Sequence, residues 1–397
     1  MSDSFDVVVV GGGPAGAMTA YHLAKAGVRT AVLDASAFPR DKTCGGGLQQ
    51  RAALHIPFDW SSANRGAMDS VCFSFRCGRR FRKTCSDPLV YGILRSEFDA
   101  LLLEQARAAG ADVRERSKAL AVGDVSAERT AVETTQGRIE GRFVVGADGA
   151  NSVVRQAVAR RSDYFWNVAL SCEVPEQRLR PGVLDSHTAR IDWGTMPGYG
   201  WMFPKHKFVN IGVGGPAVVG RKLRGFLKRF VESERVLEAG EMAGLPFRGH
   251  QLPTLRRGTP LSRGNVLLAG DAAGLVDPLT GDGISFGLHS AHIASRTLLE
   301  MLNGEQHDIA VYDRRVIDEI ATELFWSQRL AALLVAFPRV VHGTVHYAGR
   351  FWKAFCHVMR GEESLLVFRT KMLPFAPMLR WVEPLAARRG ASGGTTE

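Results

Sequence analysis

The apolar positions of the first 35 residues predict a β-α-β unit. Phe5 to Val10 has the sequence FDVVVV, which is typical of a short strand buried on both faces. A helix is predicted from about Pro14 to Lys25, Gly27 ends it, and Arg29 to Leu33 forms a second strand. Glycines fill the turn between the first strand and the helix, so this turn is a candidate ligand site.

Two more buried strands are predicted far downstream, and each runs into a glycine and an aspartate. Arg142 to Ala147 (RFVVGA) precedes Asp148, and Asn265 to Ala269 (NVLLA) precedes Asp271. Both strands are expected to join the sheet of the first unit. In open α/β sheets ligands bind at the carboxyl ends of the strands, where these aspartates would lie.

The middle of the chain has the pattern of antiparallel β structure, and its end has the pattern of helices. Residues 68–83 alternate apolar and polar positions about a turn at 77–78, which predicts a hairpin. Residues 165–260 are mostly β, with one amphipathic helix near 220–239, and helical periodicity follows after about 285. Residues 386–397 are small and polar and predict a disordered tail.

Composition places the chain among globular proteins and removes several function classes. The 397 residues are 45% hydrophobic and 23% charged, and no apolar run approaches the roughly 20 residues of a membrane-spanning helix. Asp3 and Asp6 interrupt the N-terminal apolar run, which excludes a signal peptide. Six scattered cysteines form no C-x-x-C pair and no zinc-like spacing, so we expect reduced thiols, a cytoplasmic protein and no metal site.

The net charge of +10 predicts an anionic partner. Nucleic acid, a phospholipid surface and a phosphorylated ligand all fit this charge. No nucleic-acid-binding motif accompanies the basic residues, so nucleic acid is not expected.

The first turn carries a dinucleotide-binding pattern, Gly11-x-Gly13-x-x-Gly16. Gly11 permits the tight turn, Gly13 lets a pyrophosphate approach the backbone, and Gly16 allows close packing of the helix. The helix N-terminus then faces the phosphates, and Asp34, at the end of the second strand, would accept hydrogen bonds from ribose hydroxyls. Strand, glycines, helix and acid therefore occur in the order that a dinucleotide site requires.

Together with the two downstream motifs, this pattern resembles the FAD-binding fold of the para-hydroxybenzoate hydroxylase superfamily. Gly270-Asp271-Ala-Ala-Gly274 followed by Pro278, Gly281 and Gly283 is similar to its third motif, and Asp148-Gly149 with Arg155 resembles its second. The resemblance implies FAD, with Asp271 on the ribitol and the backbone after Pro278 facing the isoalloxazine. For both Asp148 and Asp271, capping of a helix stays open as the alternative. The implied cofactor-binding residues in these regions are Gly11, Gly13, Pro14, Ala15, Gly16, Asp34, Arg95, Ala119, Asp148, Gly149, Asp271, Pro278, Gly281, Gly283 and Ile284.

Two further stretches resemble the geranylgeranyl reductase family within that superfamily. One is the loop Lys42-Thr-Cys44-Gly45-Gly46-Gly47, which in the family lies along the flavin, so Cys44 and the three glycines join the implied cofactor site. The other is Tyr199-Gly-Trp201-Met-Phe203-Pro204-Lys205, followed by Asn210-Ile-Gly212-Val-Gly214. In a strand Tyr199, Trp201 and Phe203 share one face, and with Pro204 they are the candidate substrate-binding residues.

The sequence departs from this family at a few positions. Asp277 and Asp282 stand where many members have Asn and Gly, and Thr43 precedes Cys44 where archaeal members often have Arg. Because of these departures, the resemblance does not identify the substrate.

The predicted fold class is α/β (α+β overall), with a Rossmann-like FAD-binding domain, an interleaved antiparallel-sheet substrate domain and a helical C-terminal region. The FAD-binding domain is assigned to residues 1–65, 90–160 and 262–300, and the substrate domain to 66–89 and 161–261. The helical region is assigned to 301–385 and the tail to 386–397.

The resemblance implies an FAD-dependent reductase of double bonds in a polyprenyl chain of a lipid, chlorophyll-like or quinone substrate. Such a reduction needs an acid, and Cys44 and Tyr199 are the candidate catalytic residues. Two alternatives stay open: a monooxygenase or halogenase of the same superfamily, and a membrane-associated flavoprotein that only transfers electrons. A second nucleotide-binding motif is missing, so the external electron donor (NADPH, ferredoxin or another reductase protein) stays unknown.

A basic and aromatic stretch near the C-terminus predicts contact with anionic lipid. Residues 324–381 hold eight basic residues against two acids, and ten aromatic residues lie among them. We therefore expect a cytoplasmic protein that is peripheral to the inner face of the membrane. Solvated arginines on helices that pack against the core are the alternative.

Overall fold

The computed structural model describes residues 3–183, 185–238 and 240–371. The predicted tail, together with Phe375, Arg380 and Trp381, lies outside the described residues. The strands are β1 Asp3–Val10, β2 Thr30–Leu33, β3 Gly47–Gln49, β4 Asn64–Met68, β5 Ser70–Phe75, β6 Arg80–Thr84, β7 Val90–Ile93, β8 Asp112–Arg114, β9 Ala119–Val122, β10 Thr130–Thr134, β11 Gly137–Gly146, β12 Tyr164–Pro175, β13 Thr188–Trp193, β14 Tyr199–Lys205, β15 Phe208–Pro216, β16 Arg248–Leu255, β17 Ser262–Arg263 and β18 Val266–Leu268.

Eleven α-helices lie in the same part of the chain. They are α1 Pro14–Lys25, α2 Gln50–Ala53, α3 Arg95–Ala108, α4 Arg155–Val158, α5 Leu223–Glu234, α6 Ile284–Leu302, α7 Ala310–Val316, α8 Thr322–Ala336, α9 Pro338–Tyr347, α10 Gly349–Arg360 and α11 Leu365–Lys371. A π-helical turn, Ile317–Ala321, joins α7 to α8.

The first sheet confirms the predicted Rossmann-like core. Its strand order is β17-β18-β11-β1-β2-β8, and the central pairs β18/β11, β11/β1, β1/β2 and β2/β8 are parallel. All three predicted glycine and acid turns follow strands of this sheet, after β1, β11 and β18. Because these strands are parallel and neighbouring, the three turns meet at one edge of the sheet.

The second sheet is almost entirely antiparallel, with the strand order β16-β12-β15-β14-β13-β5-β6. One face packs against α5 through buried residues such as Met202, Ile211 and Phe230. The opposite face carries Tyr199, Trp201 and Phe203 and lies across the carboxyl edge of the first sheet, where it borders a cavity. The predicted fold class is therefore confirmed, while the domain boundaries stay a prediction.

The C-terminal helices cover the remaining side of this cavity. Buried residues of α8, α10 and α11 form one apolar cluster, and Trp352 and Val345 join a second cluster with Phe73 and Trp193 of the second sheet. In the described part of the chain no single helix is both long and apolar enough to cross a bilayer. Two consecutive helical segments, Ala310–Ala336 and Pro338–Tyr347, are long and apolar enough when taken together, but the chain bends by 106° between them.

The prediction that the cysteines are reduced thiols is wrong for two of them. A disulfide joins Cys85, just after β6, to Cys356 of α10. The two residues are 271 positions apart in the chain, so only the docking of α10 on the second sheet brings them together. The Trp352 indole N–H, in the same helix, donates a hydrogen bond to the Thr84 carbonyl at 3.0 Å and supports the same contact.

We expect Gly212→Ala to destabilise the protein because a Cβ at this position would overlap with the Trp201 indole and lie 2.7 Å from the Ser171 Cβ. Overpacking of this kind costs about 1–3 kcal/mol of unfolding free energy. The control is Gly225→Ala inside α5, where no atom lies within 4 Å of the added Cβ. Because alanine is the better helix former, this control should raise stability by about 0.5–1 kcal/mol. Chemical denaturation of both variants checks the pair, and equal effects would contradict the packing argument.

Candidate functional site

The turn between β1 and α1 shows two kinds of glycine. Gly11 has φ +104°, and a Cβ there would lie 2.8 Å from the Asp148 Cα, while a Cβ on Gly16 would overlap with the Gly11 carbonyl oxygen. These two glycines are therefore required by the fold itself. At Gly13 an added Cβ would meet only the Arg40 Nη2, at 3.7 Å. The fold leaves the space above Gly13 free, which is where a pyrophosphate is expected to lie.

Asp34 holds this turn in place. Its two carboxylate oxygens accept hydrogen bonds from the Gly12 and Ser36 backbone N–H groups, each at 2.8 Å. The carboxylate also borders the cavity. Its contact with a ribose stays a prediction.

Arg40 is a residue that sequence reasoning missed. It lines the cavity beside the Gly13 turn, and its Nη1 is buried without a hydrogen-bond acceptor, 3.2 Å from the Asp99 Oδ2. Arg95 lies nearby and donates two hydrogen bonds of 2.7 Å to the same Asp99 carboxylate. The Arg40 Nε also lies 3.9 Å from the Asp34 Oδ1, so two guanidinium groups border the cavity beside two carboxylates, where phosphates are expected. In the sequence, Arg40 could have been recognised as a basic residue shortly after Asp34, the acid that is predicted to bind the ribose.

The acidic side chain of the second motif is hydrogen-bonded within its own loop. The Asp148 carboxylate accepts hydrogen bonds from the Ser152 hydroxyl and from the Val153 N–H at 2.7 Å. Burial raises the pKa of Asp148, although these bonds oppose the rise. Asp148 therefore stabilises the loop that precedes α4, whose N-cap residue is Val154, so the capping alternative is wrong for this helix. A direct cofactor contact of Asp148 and Gly149 stays a prediction, although both border the cavity.

Arg155 ties the second motif to the third. Its guanidinium donates to the carbonyls of Asp271 and Ala272, both at 2.8 Å, and to the Ala150 carbonyl at 2.8 Å. These bonds fix the backbone of the third motif relative to β11.

Asp271 differs from Asp148 because its carboxylate faces the cavity. The His250 Nε2 lies 3.9 Å from the Asp271 Oδ2, and the Lys42 Nζ lies 2.8 Å from the same ring nitrogen. Burial opposes ionisation of Asp271, but His250 and the charge of Lys42 lower its pKa below the usual range. An ionised Asp271 fits the predicted hydrogen bond to a ribitol hydroxyl.

The turn after Asp271 forms the floor of the cavity. The Asp277 N–H donates to the Asp282 carbonyl, and the Gly281 N–H donates to the Asp277 carbonyl, both at 2.9 Å. Gly281 has φ +72°, and a Cβ on Gly283 would lie 2.7 Å from the Asp271 Oδ1. Pro278 and Ile284 also line the cavity here, with Ile284 as the first residue of α6.

The glycine loop at residues 45–47 packs directly against β14. A Cβ on Gly45 would lie 3.2 Å from the Trp201 Nε1, and one on Gly47 would lie 3.1 Å from the Phe203 ring. Gly46, with φ +60°, lies over the Lys205 amino group, where a Cβ would overlap. The two stretches on which the family resemblance rested are therefore in contact.

Asn210 of β15 links this loop to the sheet. Its amide group donates to the Cys44 carbonyl at 2.9 Å and accepts a hydrogen bond of 2.7 Å from the Trp201 indole. It also donates to Glu173, to which the buried Lys205 side chain donates as well. This network explains why Asn210 and Lys205 accompany the aromatic stripe in the sequence.

One cavity of about 1430 Å³ extends from the glycine turn at Gly11 past these groups to the C-terminal helices. Of the predicted site residues, Gly16 and Pro204 are not on its wall, and Ala119 borders it at the start of β9. The far wall is apolar. Its side chains come from α8 to α11 and include Leu330, Leu334, Val341, Val345, Trp352, Phe355, Leu365 and Phe368.

Comparisons with known proteins agree with this arrangement. The FAD binding domain family matches residues 4–169 and 254–315. Menaquinone reductase of Mycobacterium tuberculosis is 31% identical over 364 residues, which covers 87% of each chain. Digeranylgeranylglycerophospholipid reductase of Thermoplasma acidophilum is 26% identical and covers 83% of this chain and 86% of its own. The chain belongs to the geranylgeranyl reductase family of FAD-dependent oxidoreductases.

Solved structures of this superfamily share the fold. A geranylgeranyl bacteriochlorophyll reductase-like protein from Thermoplasma acidophilum superposes with a TM-score of 0.69 at 22% identity, over 83% of this chain and 88% of its own. A flavin-dependent brominase superposes with a TM-score of 0.73 at 16% identity, over 94% and 100%. At these identities the superpositions support the fold and leave the reaction open.

The residues present fit the cofactor that the family binds, FAD. The open space above Gly13 and the positively charged Arg40 and Arg95 fit the pyrophosphate of FAD. The ionised Asp271 fits the ribitol chain. A reductase of this family is therefore expected to hold FAD between the three turns and the loop at 45–47.

We expect Gly13→Ala to weaken FAD binding at least tenfold without lowering the stability of the FAD-free protein. The new methyl group has room in the fold but would occupy the space that the pyrophosphate needs. Flavin fluorescence titration measures the affinity, and thermal melting of the FAD-free protein measures the stability.

Asp271→Ala provides the comparison at the other end of the cofactor. It should also weaken FAD retention, and heating the wild-type holoprotein should release free flavin because no covalent link is expected. Unchanged FAD affinity in both variants would contradict the placement of the cofactor.

Proposed function

We propose that this protein reduces carbon–carbon double bonds in the polyprenyl chain of a lipid or quinone. The observation that carries the proposal is the single cavity, which is polar and charged at the glycine turns and apolar where it meets the C-terminal helices. Bound FAD in its reduced form supplies the hydride. An isoprenoid chain in the apolar part would lie against the aromatic stripe at the end of that cofactor.

The side chains around the apolar part hold and orient such a chain. Tyr199, Trp201 and Phe203 form one wall, and the Tyr199 hydroxyl donates a hydrogen bond to the Thr280 carbonyl. Apolar side chains of α8 to α10 form the opposite wall and exclude water. Holding an alkene against the reduced cofactor in one orientation removes much of the entropic barrier of the reaction.

A quinone carrying a polyprenyl tail is the substrate class that we favour among those left open. The menaquinone reductase of Mycobacterium tuberculosis is 31% identical to this chain, whereas the digeranylgeranylglycerophospholipid reductase described above is 26% identical. The menaquinone reductase also aligns with this chain over most of its length. The alternative of a halogenase requires a lysine in front of the cofactor. The lysines on the described cavity wall, Lys42 and Lys118, lie on the dinucleotide side instead, and the Lys42 amino group contacts His250.

Mass spectrometry of the products distinguishes these functions. We expect the chemically reduced holoprotein, kept without oxygen, to add two hydrogen atoms per double bond to a polyprenyl quinone or a geranylgeranyl lipid. Gain of an oxygen or halogen atom in air would indicate the oxygenase or halogenase. Rapid reduction of the quinone ring with an unchanged tail would indicate an electron-transfer flavoprotein, and each of these results would overturn the proposal.

A matched pair of variants on α8 tests whether the chain occupies the cavity. Ala331→Trp places a large side chain on the cavity wall, whereas Ala336→Trp places it on the exposed side of the same helix. The first should lower reduction of a long polyprenyl chain at least tenfold, and the second should leave it unchanged. Equal activity of both variants would place the substrate elsewhere.

We also propose that the protein works at the surface of an anionic membrane. The described aromatic residues of the C-terminal region mostly face inward, since Trp352, Phe351 and Phe355 line the cavity. The exposed groups on α9 and α10 are the basic Arg339, Arg350 and Lys353, with the apolar Val340 and the aromatic Tyr347. The Cys85–Cys356 disulfide removes the reduced-thiol argument for a cytoplasmic location.

The expected outcome is cosedimentation with anionic vesicles at low salt and release at high salt, because charge attraction to lipid is screened. Arg350→Glu with Lys353→Glu should weaken this binding and leave bound FAD unchanged. Arg360 is a poor target because it already pairs with Asp87 and Glu362. No binding of the wild-type protein at any salt concentration would contradict the membrane proposal.

A further inference from the structure

Reduction of an isolated double bond consumes a proton as well as a hydride, and of the two residues predicted to supply the proton, Tyr199 already donates its hydrogen elsewhere. The Tyr199 hydroxyl donates its hydrogen to the Thr280 carbonyl. Burial, with the nearby Asp277 and Asp282, raises the pKa of Tyr199, which makes it a weaker acid. The Cys44 Sγ accepts a hydrogen bond from the Gly46 N–H at 3.3 Å and is held in the glycine loop.

Two other acids lie in the turn that faces the cofactor, and their hydrogen bonds differ. The Asp277 Oδ1 accepts from the backbone N–H groups of Leu279 and Thr280, at 2.7 and 3.2 Å, and from the Ser327 hydroxyl. Asp277 therefore serves to shape the turn. The Asp282 Oδ1 accepts one bond, from the Ser285 N–H at 3.0 Å, and its Oδ2 is buried without a hydrogen-bond partner. Asp282 also borders the cavity.

The charges around Asp282 favour its neutral form. Arg51 of α2 is the cation that faces it, but both terminal nitrogens of Arg51 donate to Glu323 of α8, at 2.6 and 3.3 Å. Burial raises the pKa of Asp282. Hydrogen bonds from the Ser285 hydroxyl and N–H and the charge of Arg51 oppose the rise, and Asp277 adds to it. The other ionisable neighbour, Tyr199 of β14, is uncharged because its own pKa is raised.

A buried carboxylate oxygen without a donor is costly, and a proton on the carboxyl removes that cost. The turn thus carries a carboxyl group that borders the cavity, has one oxygen without a hydrogen-bond partner and has a raised pKa, with the Ser285 hydroxyl beside it. His250 and Lys42 instead lower the pKa of Asp271, which lies earlier in the same segment. Opposite pKa shifts of two nearby carboxyls are typical of divided acid–base roles.

We propose that Asp282 is the acid that delivers the proton to the alkene, an assignment that rests on the proposed function. A new C–H bond forms at one alkene carbon with the proton of Asp282, and a second C–H bond forms at the other carbon with the hydride of the reduced cofactor. The π bond would break as one carbon takes the proton of Asp282 and the other takes a hydride, with its two electrons, that reduced FAD would supply. Asp282 would be left as a carboxylate, a proton from water would restore it, and the external electron donor would restore the reduced FAD.

The test compares Asp282→Asn with Asp282→Glu in the holoprotein. Asparagine keeps the acceptor for the Ser285 N–H but removes the acidic hydrogen, and glutamate restores it. The measurement is the single-turnover rate at which a polyprenyl substrate reoxidises the reduced cofactor without oxygen, followed as a function of pH. General acids typically contribute a factor of about 10²–10⁴, so Asp282→Asn should lose at least 100-fold, with partial rescue by Asp282→Glu.

The pH profile separates an acid from a structural residue. The wild-type rate should fall as pH rises through the raised pKa of Asp282, because only the protonated carboxyl delivers a proton. This fall should be absent in Asp282→Asn. Flavin content and melting temperature should be equal in both proteins.

Infrared spectroscopy gives a readout that needs no turnover. A protonated carboxyl C=O stretch should be present at neutral pH in the wild-type holoprotein and absent in Asp282→Asn. Asp277→Asn is the matched control, because burial raises the pKa of Asp277 as well. A neutral-pH band that survives in Asp282→Asn without loss of intensity would overturn the assignment.

The outcomes separate this assignment from the proposed function. If the wild-type protein reduces prenyl chains and Asp282→Asn does so at the same rate with the same pH profile, only the role of Asp282 fails. If the wild-type protein reduces no prenyl chain, the proposed function fails, and the assignment that rests on it fails with it.

Discussion

The close approach of the loop at residues 45–47 to strand β14 is the contact on which the rest of the site depends. Three glycines in succession allow the backbone to lie against Trp201, Phe203 and Lys205, where any side chain would be crowded. This contact sets the spacing between the sheet that carries the glycine turns and the sheet that carries the aromatic stripe. Asn210 fixes it by bonding to both the loop and the Trp201 indole.

The cavity that results has two parts, which differ in the charge of the side chains that line them. On the dinucleotide side Arg40, Arg95 and Lys42 accompany an ionised Asp271, which suits phosphates and hydroxyls. On the other side burial raises the pKa of Asp282 in the turn and of Tyr199 on β14, which favours their protonated forms. One fold thus joins a charged part of the cavity, which fits the cofactor, to an apolar part.

The C-terminal helices complete this second part and connect it to the surface. Helices α8 to α11 direct apolar side chains toward the aromatic stripe. Helix α10 is attached to the edge of the second sheet by the Cys85–Cys356 disulfide and by hydrogen bonds of the Trp352 indole and Arg360. The same helices present basic and apolar groups outward. A hydrophobic chain that enters between them would pass from a lipid surface to the cofactor with little exposure to water.

The sequence by itself determined the β-α-β unit, the three cofactor turns and the aromatic stripe. Each depends on residues close together in the chain, such as Gly11 to Gly16, whose spacing and conformational freedom already define the local structure. Only the tertiary structure decided the position of Arg40 beside Asp34 and Asp99, the burial of Asp282, and the pairing of Cys85 with Cys356. Ion pairing, burial of a carboxyl oxygen and disulfide formation all depend on neighbours from distant segments, and the sequence pattern does not show which distant side chains will surround a given carboxylate, guanidinium or thiol.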